Sequence, residues 1–290
     1  MALVAAAAVA ALIGLFPGAI HARRGRRRGD GRAAPAATRG LWLDGLRHAH
    51  HASEGARHPL AVVHATSDVR GDHDVLDVVV VFHGWSSCAS NVMGWHRAPC
   101  GRQGGNLEVA RRLDAIGLPL VAIVPQLAFE ERTGDPGRFA YRGVFPAFVD
   151  EVLERSAPLL GRAPGAPRPR VGKLVLAAHS AGYATLAAVL RAGAPESLRA
   201  VVLLDSLYGH EDVFASYAAR PGARLYVVSG RSTREETETL AEMISARIRF
   251  ARSPSSANLR ALPMLVRSTL GHEDIARIWL GPIVRAALAD

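Results

Sequence analysis

Ser180 is the residue of this sequence best placed for nucleophilic chemistry. It stands in the run LVLAAHSAGYATL (residues 174–186), where a strand-like apolar stretch passes directly into a helical pattern. Ala178, Ala181 and Gly182 are small, so the backbone can turn sharply and hold the serine hydroxyl above a sheet edge, over a helix N-terminus. A serine held there can attack a carbonyl carbon if a base removes its proton. A serine can also simply cap a helix, and this motif alone leaves that alternative open.

Two histidines are candidate bases for such a serine, and both stand in the tetrapeptide Gly-His-Glu-Asp. His272 lies between the last apolar stretch and the final helical pattern, whereas His210 follows a stretch in the middle of the chain. The tetrapeptide is the same in both places, so only position in the fold can distinguish the two. A base must come within hydrogen-bond reach of the hydroxyl that it deprotonates.

A second strand-like stretch, VLDVVVVF, ends in His83-Gly84-Trp85. Together with the turn at Ser180, this element resembles the α/β-hydrolase family. The turn resembles the family's nucleophile elbow, G-x-S-x-G, with Ala178 where the first glycine usually stands. The His83-Gly84 pair is similar to the H-G-x element that follows the family's third strand. The resemblance covers residues 60–290.

The resemblance implies roles for further residues. The backbone N–H groups of Trp85 and Ala181 would form the oxyanion hole that holds the substrate's carbonyl oxygen. The family places its general base after the final strand and before the C-terminal helix, which favours His272 over His210. The chain order Ser, acid, His is also that of the family.

The acid that would orient the base is predicted to be Asp205. In most members of the family it follows the strand two places after the nucleophile, but residues 231–235 at that exit contain no Asp. Asp205 closes the preceding strand, a position that some members use, and an aspartate ending an apolar strand needs a hydrogen-bond partner. Glu235 is the alternative acid, although it also fits the first turn of a helix.

The elements that must position these residues alternate along the chain from residue 60 onward. Near-continuous apolar stretches indicate a sheet covered on both faces, hence largely parallel. The alternation predicts an α/β fold, and the resemblance makes it a three-layer α/β-hydrolase-like fold with a mostly parallel central sheet and helices on both faces. Only 18 residues separate Asp205 from Arg224, which leaves no room there for a large cap domain. The predicted strands are 60–65, 75–82, 119–125, 173–179, 200–205, 224–230 and 263–269, and the predicted helices are 106–117, 148–160, 180–193, 211–220 and 234–248.

The formal charge of +9 is concentrated at the N-terminus. Residues 1–40 hold seven arginines and one acid, a net +6, which leaves +3 for residues 41–290. The body is therefore not a basic nucleic-acid reader, and we expect no nucleic-acid partner.

Residues 1–22 are predicted to be a hydrophobic signal or membrane anchor, because residues 1–20 carry no charged side chain. Residues 23–40 are predicted to be an Arg-rich flexible linker, and residues 41–290 the hydrolase domain. We expect a protein that is exported (periplasmic or extracellular) or anchored to the membrane. The arginines that follow the apolar run also fit an anchor with the body facing inside.

Cys88 and Cys100 are the two cysteines, twelve residues apart in a loop-like stretch. They could close a disulfide in an oxidising compartment, or be two unrelated buried thiols. Their spacing does not suit a metal site. No phosphate-binding loop, dinucleotide fingerprint or HExxH motif is found, so neither a cofactor nor zinc is expected.

These residues predict a serine hydrolase that cleaves a carboxylic ester through Ser180, His272 and Asp205 by way of an acyl-enzyme. The expected partner is a small-molecule or lipid-like ester. A peptidase, an amidase or an acyltransferase with the same triad is an alternative. A hydrolase-fold protein that binds without turnover is another, from a different class.

Overall fold

The computed structural model describes residues 40–51, 60–95, 105–128, 132, 134–163 and 165–289. The predicted signal or anchor lies outside these residues, as does the predicted linker except for Gly40, which already belongs to the first strand. Within the described ranges, no helix combines the length and the apolar character needed to cross a membrane.

Nine strands form one open sheet in the order β1-β2-β4-β3-β5-β6-β7-β9-β8. Strands β1, β2 and β4 pair antiparallel, and every other neighbouring pair is parallel. The prediction of a mostly parallel sheet is thus confirmed. The strands are β1 (Gly40–Leu43), β2 (Ala61–Ala65), β3 (Val75–Phe82), β4 (Leu120–Pro125), β5 (Arg170–His179), β6 (Leu198–Leu204), β7 (Leu225–Ser229), β8 (Ile248–Phe250) and β9 (Met264–Arg267).

Helices cover both faces of the sheet, because alternate side chains of the central strands are apolar on both sides. In β3, Val78 and Val80 pack in the same core as α3 to α6, whereas Val79 and Val81 pack with α1, α2 and α7. The three-layer prediction is therefore confirmed. The helices are α1 (Ala89–Met93), α2 (Val109–Asp114), α3 (Val144–Arg155), α4 (Gly182–Gly193), α5 (Glu211–Ala218), α6 (Arg234–Met243) and α7 (His272–Leu288).

Of the element boundaries that differ from the predicted ones, two concern the C-terminal part of the chain. The helix predicted over 234–248 ends at Met243, since Ser245 adopts a left-handed φ of 51° and the chain then forms edge strand β8. His272, predicted to lie in a loop, is the first residue of α7. Its Cα is therefore fixed by a helix that buries nine of its residues.

The connection from β6 to β7 is described throughout and contains only α5 as regular structure. No cap domain is inserted there, as its length predicts. The carboxyl ends of β5 and β6 consequently meet the surface without a covering domain from this connection.

Candidate active site

Ser180 occupies a strained turn between β5 and α4. Its φ of 54° lies in the left-handed region, where residues other than glycine are uncommon. A Cβ at Gly182 would lie 2.3 Å from the carbonyl oxygen of Phe82, so only glycine lets the helix approach β3 this closely. The Ser206 hydroxyl donates a hydrogen bond to the Ser180 carbonyl at 2.7 Å. The turn thus holds the serine in the conformation typical of a nucleophile elbow.

Gly84, at the exit of β3, lies directly against the serine. A Cβ at this position would stand 2.6 Å from Cβ and 3.0 Å from Oγ of Ser180. The preceding His83 is buried: its Nδ1–H donates to the Gly84 carbonyl at 2.8 Å, and its Nε2 accepts the Leu127 N–H at 3.0 Å. Because Nε2 accepts a backbone N–H, the ring is neutral and ties the exit of β3 to that of β4.

His272 and Asp205 form a hydrogen-bonded pair, with Nδ1 and Oδ2 2.6 Å apart. Asp205 follows β6 and is only 2% exposed. Its Oδ1 accepts the Gly230 N–H at 2.7 Å and the Thr233 hydroxyl at 2.6 Å, and its Oδ2 also accepts the Ser232 hydroxyl at 3.1 Å. The loop after β7 therefore holds the carboxylate in one orientation.

The same contacts keep Asp205 ionised. Burial acts to raise the pKa of this carboxyl, but hydrogen bonds from His272, Thr233 and Gly230 outweigh it and lower the pKa below its ordinary value. A charged carboxylate fixes the ring proton of His272 on Nδ1, which leaves Nε2 able to accept a proton.

His179 supports the same imidazole from the other side. Its Nε2–H donates to the His272 carbonyl at 3.2 Å, and the two ring centroids are 4.4 Å apart. Burial, together with the nearby His272, lowers the pKa of His179 to about 3, so this ring is neutral at neutral pH. Nothing in the sequence predicts this role for His179, which is the residue before Ser180.

The three predicted catalytic side chains thus lie at one edge of the sheet, at the ends of β5 and β6 and at the start of α7. Within the described part of the chain, no hydrogen bond joins the Ser180 hydroxyl to His272. Contacts of this kind often tighten only when substrate binds.

The two competing residues lie apart from this pair. Glu235 is exposed on the first turn of α6. His210 stands at the start of α5, where its Nδ1 accepts hydrogen bonds from Arg191 at 3.2 Å. Neither has a hydrogen bond to Asp205 or His272 among the described residues.

The structure agrees in three respects with the family that the motifs resemble. These are the order of the strands, the serine in the turn after β5 and the histidine after β9. The chain has the α/β-hydrolase fold.

Comparisons with known proteins add no family or curated relative. No family model matches the chain, and no curated protein matches it. Solved structures with a similar arrangement include a variant of the feruloyl esterase module of Clostridium thermocellum (11% identity over 78% of this chain and 82% of that one, TM-score 0.48). Others are an S-formylglutathione hydrolase from Agrobacterium tumefaciens (12%, 78% and 88%, 0.47) and a ferulic acid esterase (13%, 79% and 92%, 0.47). At these values the likeness says nothing of what this chain acts on.

The two backbone groups predicted to form the oxyanion hole of this hydrolase fold flank the serine. Ala181 directly follows it and caps α4, and Trp85 follows the glycine that contacts it. The Trp85 side chain is 47% exposed, and the guanidinium of Arg132 lies 4.9 Å from the centre of its ring. An aromatic face and a cation therefore stand at the rim of the site.

Residues 134–137 form a wall beside the start of α4. A Cβ at Gly134 would lie 2.2 Å from the Ala181 carbonyl oxygen, and one at Gly137 would lie 2.5 Å from the ring of His50. His50 is fully buried and its Nε2–H donates to the Asp135 carbonyl at 2.8 Å. Burial, with the nearby His51, lowers the pKa of His50 to about 3. This buried histidine anchors the wall without carrying charge.

The cysteine prediction is only partly covered by the structure. Cys88 is buried at the start of α1, and Cys100 lies outside the described residues, so their pairing stays a prediction. Among the described residues, no group of three or more His, Cys, Asp or Glu side chains could hold a metal ion.

Proposed function

We propose that the protein is a serine hydrolase that cleaves carboxylic esters, with Ser180 as nucleophile, His272 as general base and Asp205 as the residue that orients the base. The observation that carries the proposal is the 2.6 Å bond between His272 and Asp205 at the sheet edge where Ser180 occupies a strained turn. A buried carboxylate, an imidazole and a serine that is partly exposed are the parts that acyl transfer requires.

The reaction proceeds in two halves. His272 Nε2 takes the Ser180 proton as Oγ bonds to the ester carbonyl carbon, and the N–H groups of Trp85 and Ala181 stabilise the oxyanion that forms. The imidazolium gives its proton to the departing alcohol as the C–O bond breaks, which leaves the acyl group on the serine. Water, deprotonated by the same ring, then attacks the acyl-enzyme, and the acid is released as Ser180 regains its proton.

The sheet edge at the site favours substrates whose ester bond is accessible over substrates that a deep pocket would have to enclose. The connection between β6 and β7 adds no cap, and Trp85 with Arg132 presents an aromatic and cationic rim. Small or lipid-like esters whose acyl group can lie along this rim are the substrates that we propose.

The test measures hydrolysis of p-nitrophenyl acetate and butyrate and labelling by a fluorophosphonate probe, with the full chain. Ser180→Ala should lower kcat by ~10³-fold or more and abolish labelling, because it removes the nucleophile. Ser216→Ala, which changes a serine on α5 away from the site, is the matched control and should leave both unchanged.

The outcomes separate the alternatives. Folded wild-type protein that neither hydrolyses the esters nor takes the probe would favour a binding protein over a hydrolase. Faster turnover of peptide anilides than of esters would favour an amidase or peptidase. Transfer of the acyl group to an added alcohol in preference to water would favour an acyltransferase.

A further inference from the structure

A large groove lies away from the proposed active site, between α2, α7, the start of β7 and residues 254–262. Its volume is about 1100 Å³, ample for a small amphipathic ligand. Of its 19 lining residues, eleven are apolar or glycine and five are arginines, and none is acidic. The arginines are Arg112, Arg224, Arg260, Arg277 and Arg285.

Two of these arginines are neutralised by neighbouring carboxylates. Arg112 pairs with Glu108 at 2.7 Å, and Arg277 pairs with Asp274 at 3.1 Å. Both guanidinium groups therefore have local counter-charges.

The other three have no carboxylate partner among the described residues. Arg260 and Arg285 are exposed. Arg224 donates to the carbonyls of Ala286 and Ala289, each at 3.1 Å, and these acceptors carry no net charge. Three uncompensated positive charges thus line one groove, a field that attracts an anion.

Tyr226 adds an unused hydrogen-bonding group. It lines the groove from β7 with no exposed surface, and its hydroxyl makes no well-formed hydrogen bond to a described residue, although the Arg224 side chain lies close enough to interact with it. Buried hydroxyls are normally paired, so one in the wall of a cavity without a well-formed bond points to a ligand that could pair with it. Burial raises the pKa of this phenol against the opposing charge of Arg224, so it is a donor at neutral pH.

The groove is separate from the proposed site. Tyr226 precedes Gly230, which contacts Asp205, by four residues, or about 13 Å along an extended strand. On α7, Arg277 is the lining residue nearest to His272, five residues or about 7.5 Å along the helix, and Gly281 and Arg285 lie about 14 and 20 Å along it. A ligand in the groove would not touch the reacting atoms.

We propose that this groove binds a medium-chain fatty carboxylate, with its head group among the unpaired arginines and the Tyr226 hydroxyl and its hydrocarbon chain along the apolar wall. The positive charges favour an anionic head group, and the eleven apolar or glycine residues favour a hydrocarbon chain over a bare anion. The proposal does not rest on the esterase activity.

Calorimetric titration of the full chain with dodecanoate, below its micelle concentration, tests the proposal. Saturable binding is expected, and octanoate should bind more weakly, by up to about fourfold for each methylene removed. The double variant Arg260→Gln/Arg285→Gln should weaken dodecanoate binding by at least ~10-fold, because charge-assisted hydrogen bonds to the carboxylate are lost. Arg142→Gln/Arg220→Gln, two exposed arginines outside the groove, controls for the loss of net charge and should bind like wild type.

Tyr226→Phe gives a second, independent readout. It should weaken dodecanoate binding while the melting temperature stays level or rises, since the substitution removes a buried hydroxyl that lacks a well-formed hydrogen bond. Unchanged affinity in this variant or in the groove double variant would overturn the proposal. So would tight binding of inorganic phosphate, equal binding of dodecyltrimethylammonium, or binding to anionic phosphatidylglycerol vesicles without any binding of dodecanoate.

Discussion

Asp205→Asn is the substitution whose effect the structure defines most closely. The Oδ1 position accepts the Gly230 N–H and the Thr233 hydroxyl, and a backbone N–H can only donate. The amide oxygen of an asparagine must therefore take the Oδ1 position, and its NH₂ group must take the Oδ2 position, facing His272 Nδ1. To accept that NH₂ hydrogen, Nδ1 must lose its own, and the ring proton moves to Nε2, the atom that has to receive the serine proton.

The expected loss in kcat is ~10³–10⁴-fold, the cost of the wrong tautomer in a Ser-His-Asp site. At about 1.4 kcal/mol for each factor of ten, this corresponds to roughly 4–5.5 kcal/mol of transition-state stabilisation. The fold should survive, because Gly230, Thr233 and Ser232 all keep a neighbour to which they can hydrogen-bond. Stability is therefore expected to change far less than activity.

The assay compares ester turnover by Asp205→Asn and wild type at a matched folded fraction, checked by thermal melting. Glu235→Gln is the control, since Glu235 is an exposed residue of the first turn of α6, and it should retain wild-type turnover. If Asp205→Asn keeps more than a tenth of the wild-type kcat while Glu235→Gln loses activity, the acid has been assigned to the wrong residue.

Three further predictions follow from the described contacts. Gly84→Ala should lower kcat by ~10²-fold, because its Cβ would displace the nucleophile; a normal kcat in folded protein would contradict the close approach of Gly84 to Ser180. His50 and His179, with pKa values near 3, gain a proton at mildly acidic pH only on unfolding. The free energy of unfolding should therefore fall by roughly 3 kcal/mol for each unit by which the pH is lowered between pH 6 and 4, and His179→Gln should halve that slope in urea titrations. In protein isolated from native cells, Cys88 and Cys100 should resist a thiol-reactive tag until reductant is added; free thiols there would argue against both the disulfide and export.

The core of the fold was predictable because apolar periodicity reports burial directly. In β3, residues 78–82 are all buried, so the apolar run predicts a strand that is covered on both faces. Strand β8 was not predicted, because it is only three residues long, two of them exposed, and it is held by pairing with β9 and by the packing of Ile248 against the core. Sequence patterns carry no information about such a neighbour.

The site was predictable where motif and chain order act together, as for Ser180 and His272. The support around Asp205 was not, because its donors come from residues 230–233, some 25 positions away, and only the register of β6 with β7 brings them together. The same holds for His179, whose partner is a backbone carbonyl at the start of α7. Contacts to backbone groups leave no signature in residue type.

Helix α7 links the base to the bulk of the molecule in a way that bears on heat inactivation. His272 is its first residue, and nine others from Ile275 to Leu288 are buried against the sheet. The base is less free to move away from the serine than a residue in a surface loop, because its backbone continues directly into this packed helix and its carbonyl is hydrogen-bonded to His179. Residual activity and folded fraction should then decline along one curve as temperature rises, so that an activity measurement would report the extent of global unfolding.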